Sequence, residues 1–138
     1  MKPQRVDLSA VQDVGEVVRR VVATRKSEVR ALATALDGRE RRALHDFRIA
    51  TKRLRYALER FTSIEPPFEG VAEKAASLQD ALGEAHDRDV LLAVLPPNMP
   101  ATERRLAKER ESFVDRAAQL WHELDQSMQA LDSLIRSE

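Results

Sequence analysis

The sequence predicts an all-α protein, an antiparallel four-helix bundle, and three observations lead to this prediction. The 138-residue chain is dominated by Ala, Leu, Glu and Arg, and it has only four glycines. No stretch alternates apolar and polar residues, whereas apolar residues recur at steps of three and four. Three breaks leave four segments joined by short connections, which favour antiparallel neighbours.

The breaks are Asp37-Gly38, Glu65-Pro66-Pro67 and the proline-rich run 96–100. An Asp-Gly pair is typical of a helix C-terminus, and prolines end helices because they lack a backbone N–H. The length suits one domain with its own core, so we treat residues 1–138 as a single domain.

The first segment runs from about Ser9 to Leu36, with valines and leucines on one face and Ser9 as a candidate N-cap. Arg25 falls within that apolar face. It either extends to solvent from the edge of the bundle or points into a ligand groove, and the pattern leaves both open.

The other segments run from about Arg39 to Ser63, Phe68 to Leu95 and Ala101 to Ile135. Gly83 lies inside the third of the four segments, where a glycine lowers helix stability by about 1 kcal/mol relative to alanine. Close helix packing or a kink would explain it. Thr102 is a candidate N-cap for the fourth segment.

The charge of the chain is balanced overall but unevenly distributed. Its 23 basic and 23 acidic residues cancel, which argues against a general nucleic-acid binder. Residues 39–63 hold eight Arg and Lys against three acids, whereas residues 64–95 hold two against seven. The chain has no cysteine and no stretch typical of a membrane span, so we expect a cytoplasmic protein without disulfides.

A basic stripe on the second segment is the main candidate for function. At 100° per residue its five members share an arc of roughly 80° that flanks the apolar face. These members are Arg41, His45, Arg48, Lys52 and Arg55. Like charges one helical turn apart repel, so the stripe needs a counterpart. The acidic third segment could pair with it internally, or an external polyanion could bind, since arginine suits phosphate. Periodicity alone leaves both open.

Two motifs closely resemble the signature of the CHAD family, the conserved histidine α-helical domain. The first is HDFRIATKRLR at 45–55, with a His, an Arg three residues later, then a basic pair, Leu and Arg. The second is LQDALGEAHDRDVL at 78–91, which resembles the Leu-Gln, Leu-Gly and Asp-x-Asp-Val run of the family's next helix. The resemblance extends over about residues 10–135, although the first and fourth segments match only by helical pattern.

The resemblance implies a helical domain that binds inorganic polyphosphate, or a similar phosphate-rich polyanion. We expect no cofactor. The anion-binding positions that the motif implies are His45, Arg48, Lys52 and Arg55. Further candidates rest on helical geometry alone, and these are Arg41, Arg25, Arg104, Lys108 and Arg110. Some family members sit on polyphosphate granules and others are fused to triphosphate-handling enzymes. An accessory role beside such an enzyme is therefore a further hypothesis.

The chain also departs from the family pattern. Larger CHAD domains commonly contain two four-helix halves, and this chain resembles the first. It is either a short stand-alone form or a homodimer that rebuilds the larger site. Lys52 stands where the family often has arginine, which replaces a two-pronged contact with a point charge.

Other functions have less support in the sequence. His86, Asp87 and Asp89 could bind a metal ion, but the two aspartates point about 200° apart on a helix. Pairing with the second segment, or a cap at a kink near Gly83, is the better interpretation. No nucleophile with a partnered base is visible, so we expect no catalysis, no sequence-specific nucleic-acid binding and no membrane binding. The alternative to polyanion binding is a structural bundle whose stripe meets an acidic partner protein.

Overall fold

The computed structural model describes the backbone of residues 2–136 and the side chains of residues 2–133. Four long helices occupy most of this range: α1 (Val14–Leu32), α3 (Arg41–Arg60), α4 (Phe68–Val94) and α5 (Pro100–Arg136). A single turn, α2 (Ala35–Gly38), lies between α1 and α3. No strand occurs among the described residues, so the all-helical prediction is confirmed. None of their helices is both long and apolar enough to cross a membrane.

The four long helices form an antiparallel bundle. α3 packs between α1 and α4, and α5 packs on the other side of α4. Ion pairs join α1 to α5, where Lys26 meets Asp132 and Arg30 meets Asp125 at 3.1 Å. The second of these pairs lies later in α1 and earlier in α5, as expected for antiparallel helices. α1 and α4 are thus diagonal, as are α3 and α5.

One hydrophobic cluster draws on all five helices and fills the space between them. Phe47 is fully buried, and its ring meets Trp121 of α5 edge to face, with centroids 5.7 Å apart. The buried hydroxyl of Thr51 donates to the carbonyl of Phe47 at 2.9 Å, so this polar group is satisfied inside the core. The apolar face of α3 is therefore fixed toward the core, and this orientation places the stripe at its edge.

The predicted start of the first helix is wrong. α1 begins at Val14 because Asp13 is extended and its carboxylate accepts a hydrogen bond from the Glu16 N–H at 2.8 Å. Ser9 lies in a preceding turn, where its hydroxyl donates to Asp7 at 2.6 Å. Thr102 is likewise no cap, because α5 already begins at Pro100, a residue well suited to the first helical position.

The predicted break at Asp37-Gly38 is confirmed, but the glycine is not the residue that adopts the left-handed conformation. That residue is Arg39, with φ 59°. Its guanidinium donates to Glu111 at 2.8 Å and to Asp115 at 2.6 Å, both on α5. These two contacts offset the steric cost of a left-handed side-chain-bearing residue. The first segment is also divided at residues 33–34, where a turn separates α1 from α2.

Candidate functional site

The basic stripe lies on α3 along the edge that faces α4. Glu40 sets the start of α3, since its carboxylate accepts from the N–H groups of Arg42 at 3.1 Å and Ala43 at 3.0 Å. From that start, helical periodicity aligns the members of the stripe. The stripe meets α4 at three levels, and at none of them is the α4 residue a carboxylate.

The three contacts run in antiparallel order. The His45 ring lies 5.4 Å from that of His86, centroid to centroid. Arg48 lies over Gly83, where an added Cβ would come within 3.5 Å of the Arg48 Nε. Farther along, the Arg55 Nη1 donates to the Gln79 side-chain oxygen at 3.0 Å. Residues 79, 83 and 86 follow at steps of four and three, so they share one face of α4.

The carboxylates of α4 do not neutralise the stripe. Glu84 pairs with Arg88 on the same helix, and Asp89 pairs with Arg110 of α5 at 2.9 Å. Asp80 acts on Arg55 only at longer range. Among the described residues, no ion pair joins a member of the stripe to α4, so internal pairing with α4, one of the two alternatives that the sequence leaves open, is not observed. The predicted pairing of Asp89 with the second segment is wrong, because α5 supplies a closer arginine.

Arg48 is the least compensated charge in the stripe. Its side chain is half-buried, and its Nε is fully shielded yet has no hydrogen-bond partner. It forms no ion pair with any described residue. Leaving a buried donor unpaired costs about 1–3 kcal/mol, and more where the group is charged. α4 continues without a break through Gly83, so no kink explains the glycine, and an added Cβ would meet Arg48 only at ordinary contact distance.

The other arginines and the lysine of the stripe differ in exposure and in their partners. Arg41 and Lys52 are exposed and have no ion pair with a described residue. The Lys52 ammonium lies 5.7 Å from the centre of the Tyr56 ring, and the Arg55 guanidinium lies 5.2 Å from it. Arg55 alone has a carboxylate partner, since its Nε donates to Glu59 at 2.9 Å, which raises the pKa of Arg55. Three of the five members are thus available to an external anion.

His45 and His86 lie side by side near the N-terminal end of the stripe. The Nδ1 of His45 is buried and unpartnered, and burial together with the His86 charge lowers the pKa of His45. A cavity of about 280 Å³ opens beside the pair, lined also by Glu40, Arg41 and Arg42. Within the described chain, no group of three or more acidic or imidazole side chains is placed to hold a metal ion.

The lowered pKa of His45 predicts a specific pH dependence of stability. Since its ordinary value is 6.5, the unfolded chain binds this proton more tightly than the folded one. The stabilisation is complete above pH 6.5 and is lost as pH falls from there through the lowered pKa. Urea unfolding at about pH 7 and about pH 5 should show a larger loss for the wild type than for His45→Gln. His122→Gln, at an exposed histidine of α5, is the matched control and should behave as wild type.

The remaining sequence candidates lie outside the stripe. Arg25 pairs with Glu28 and donates to the Gln4 carbonyl at 3.1 Å, and it lines a groove between α1 and α3. Arg110 is only 13% exposed and also donates to the Arg39 carbonyl at 2.7 Å, so it fastens α5 to its neighbours.

Arg104 and Lys108 are exposed on α5, which packs mainly on α4. Neither has a described contact with the stripe. His86 is a site residue that sequence reasoning assigned only to a rejected metal site. Its spacing of three from Gly83 was the available signal.

The sequence model described as the CHAD domain matches residues 2–96. The chain belongs to the CHAD domain family. The matched range spans α1 to α4, so it contains the whole stripe and the three α4 residues that face it. CHAD domains relate in general to the binding of triphosphate and polyphosphate. No curated protein and no solved structure matches the chain.

α5 lies outside the CHAD match, which ends at residue 96 just after α4. The resemblance beyond that residue therefore rests on helical pattern alone. The basic residues of α5 thus have support neither from the matched range nor from proximity to the stripe. The candidate site of this CHAD domain is accordingly the surface shared by α3 and α4.

Proposed function

We propose that the protein binds inorganic polyphosphate, or a polyanion of similar phosphate density, along the basic stripe of α3. The half-buried guanidinium of Arg48, which lies against Gly83 and has no counter-ion among the described residues, is the observation that supports this most. A partly desolvated charge without a partner is costly to the folded protein. An anion bound at this position would remove that cost.

The spacing of the stripe suits a polymer of phosphates. Steps of three and four residues repeat a cation about every 5 Å along the helix axis. Arg48 and Arg55 can each donate two parallel hydrogen bonds to a phosphate, while Lys52 adds a point charge. Each charge-assisted hydrogen bond contributes roughly 1.5–3 kcal/mol. The facing residues of α4 carry no carboxylate that would repel the polymer.

His45 and His86 lie at one end of the proposed site, and we expect their contribution to polyphosphate affinity to depend on whether they are protonated. A bound anion favours the imidazolium form, which donates from both ring nitrogens. Burial keeps the pKa of His45 low in the free protein, so polyphosphate would be bound with uptake of a proton. The stripe supplies donors and positive charge only, so we propose binding without chemical conversion of the polymer. Such a protein would collect where polyphosphate is stored, in granules of the cytoplasm.

The salt dependence of binding tests this function. With about four phosphates neutralised, the slope of log K against log salt should be near −4, by analogy with nucleic acids. The measurement is fluorescence anisotropy of labelled polyphosphate of defined length with the full chain over a salt series. DNA of equal charge is the control and should bind more weakly, since its phosphates are farther apart. Affinity that is independent of salt, or equal for DNA, contradicts the proposal.

A further inference from the structure

A second groove lies on the other side of α3, between α3 and α1, and it differs in character from the stripe. Its volume is about 380 Å³, within the range of sites for small molecules. Apolar or aromatic residues and arginines line it together, and no carboxylate does: Val21, Ala57 and Phe61, with Arg25, Arg53 and Arg60. Tyr56, whose ring contacts Lys52 and Arg55 of the stripe, forms the boundary between the two surfaces.

The arginine from α1 is held in place before any ligand arrives. Arg25 pairs with the buried carboxylate of Glu28 and donates to the Gln4 carbonyl at 3.1 Å. Glu28 also accepts from the Gln4 N–H at 2.8 Å, which fastens the N-terminal segment and places Pro3 in the lining. Glu28 offsets the charge of Arg25, and Arg60 supplies the positive charge that the groove offers to a ligand. Arg60 is exposed and has no hydrogen bond or ion pair with a described residue.

The mixed lining selects a class of ligand. Inorganic polyphosphate has no apolar part, so Val21, Ala57 and Phe61 would contribute little to binding it. An anion with a flat aromatic body uses both halves of the lining, because apolar side chains cover the ring while guanidinium groups bind phosphate or stack on the ring. Nucleoside polyphosphates combine these two parts at a size that suits the groove.

We propose that the α1–α3 groove is a second anion site, separate from the stripe, for a nucleoside polyphosphate. The aromatic body lies among the apolar side chains, and the phosphates bind the arginines. This inference is independent of the proposed function, since it concerns other residues and another ligand. Either proposal, polyphosphate on the stripe or a nucleoside polyphosphate in the groove, can be refuted without affecting the other.

Titration calorimetry with ATP, adenosine and tripolyphosphate on the full chain tests the proposal. ATP should bind more tightly than either part alone. Arg60→Glu and Ala57→Leu should each weaken ATP binding by about tenfold or more, the first through charge and the second by filling the groove. Arg48→Glu in the stripe should weaken ATP binding far less than Arg60→Glu does. Arg116→Glu, at an exposed arginine of α5, is the matched control for charge.

Two results would overturn the second site. One is ATP binding no tighter than tripolyphosphate and insensitive to Ala57→Leu, which would show that the aromatic body is not recognised. The other is loss of ATP binding in Arg48→Glu with retention in Arg60→Glu, which would place ATP on the stripe. Thermal unfolding checks that Ala57→Leu folds. If it does not, Arg60→Glu decides, because Arg60 is exposed and its replacement leaves the core intact.

Discussion

Replacing Arg48 and Arg55 together with glutamate is expected to weaken polyphosphate binding by about 10²- to 10⁴-fold. Each lost charge-assisted hydrogen bond removes about 1.5–3 kcal/mol, and every 1.4 kcal/mol is roughly a factor of ten in affinity. The introduced carboxylates add repulsion to this loss. Anisotropy of labelled polyphosphate at one fixed salt concentration measures the change. The fold should persist, because Arg48 has no hydrogen-bond or ion-pair partner among the described residues, and Arg55 loses only the contacts with Glu59 and Gln79.

The matched control is Arg19→Glu with Arg116→Glu, which changes the net charge of the chain equally. Both arginines are exposed, on α1 and α5, and neither has an ion pair with a described residue. The control pair should retain nearly all of the affinity. Equal losses in the two double variants would mean that net charge governs binding, and unchanged binding in the stripe variant would refute the proposed site.

The same assay decides the role of the basic residues on α5. Arg104→Glu and Lys108→Glu should each change the affinity little, because their helix packs mainly on α4. A large loss in either would mean that the polymer runs from the stripe across α4 to α5. Arg110→Glu is unsuitable for this comparison, since it would leave Asp89 without its partner.

Much of the fold could be predicted because its boundaries are set by local signals. α4 was expected from Phe68 to Leu95 and runs from Phe68 to Val94, since prolines stand on both sides. The first segment was harder because its apolar pattern continues past the helix ends. Ser9 and Asp13 are both suitable caps, and only the folded chain shows which is used. The turn before α2 contains neither glycine nor proline, and packing of Ala35 and Leu36 in the core determines it.

Some features of the candidate site are likewise local, and others depend on tertiary packing. The alignment of the stripe follows from helical periodicity within one segment, so it can be predicted from the sequence. Which residues lie opposite it depends on how α4 rotates against α3, and this is a property of the packed core. The acidic composition of the third segment is compatible with internal pairing, yet the face of α4 that meets the stripe, at 79, 83 and 86, carries no carboxylate. The position of Arg110 against Asp89 likewise depends on tertiary packing.

Gly83 of α4 lies against the guanidinium of Arg48 on α3, which has no ion-pair partner among the described residues. A glycine inside a helix costs about 1 kcal/mol relative to alanine, and the unpaired guanidinium adds to this cost. Binding sites commonly reduce the stability of the folded protein in this manner. We therefore expect a carboxylate introduced at residue 83 to stabilise the fold and to weaken polyphosphate binding.

Gly83→Asp is expected to weaken polyphosphate binding by about tenfold to a hundredfold while leaving the free energy of unfolding unchanged or higher. The new Cβ would lie 3.5 Å from the Arg48 Nε, so the carboxylate can reach the guanidinium and take the place of a phosphate. Gly83→Ala is the control, since it adds a methyl at ordinary contact distance without charge. It should raise the free energy of unfolding by up to about 1 kcal/mol and keep most of the affinity. Anisotropy measures the affinity for polyphosphate, and urea unfolding measures the free energy of unfolding.

Full binding by Gly83→Asp would show that the Arg48 guanidinium does not hold the polymer. Equal losses of affinity in Gly83→Asp and Gly83→Ala would show that the polymer needs the space above Gly83 and that the added charge has no effect.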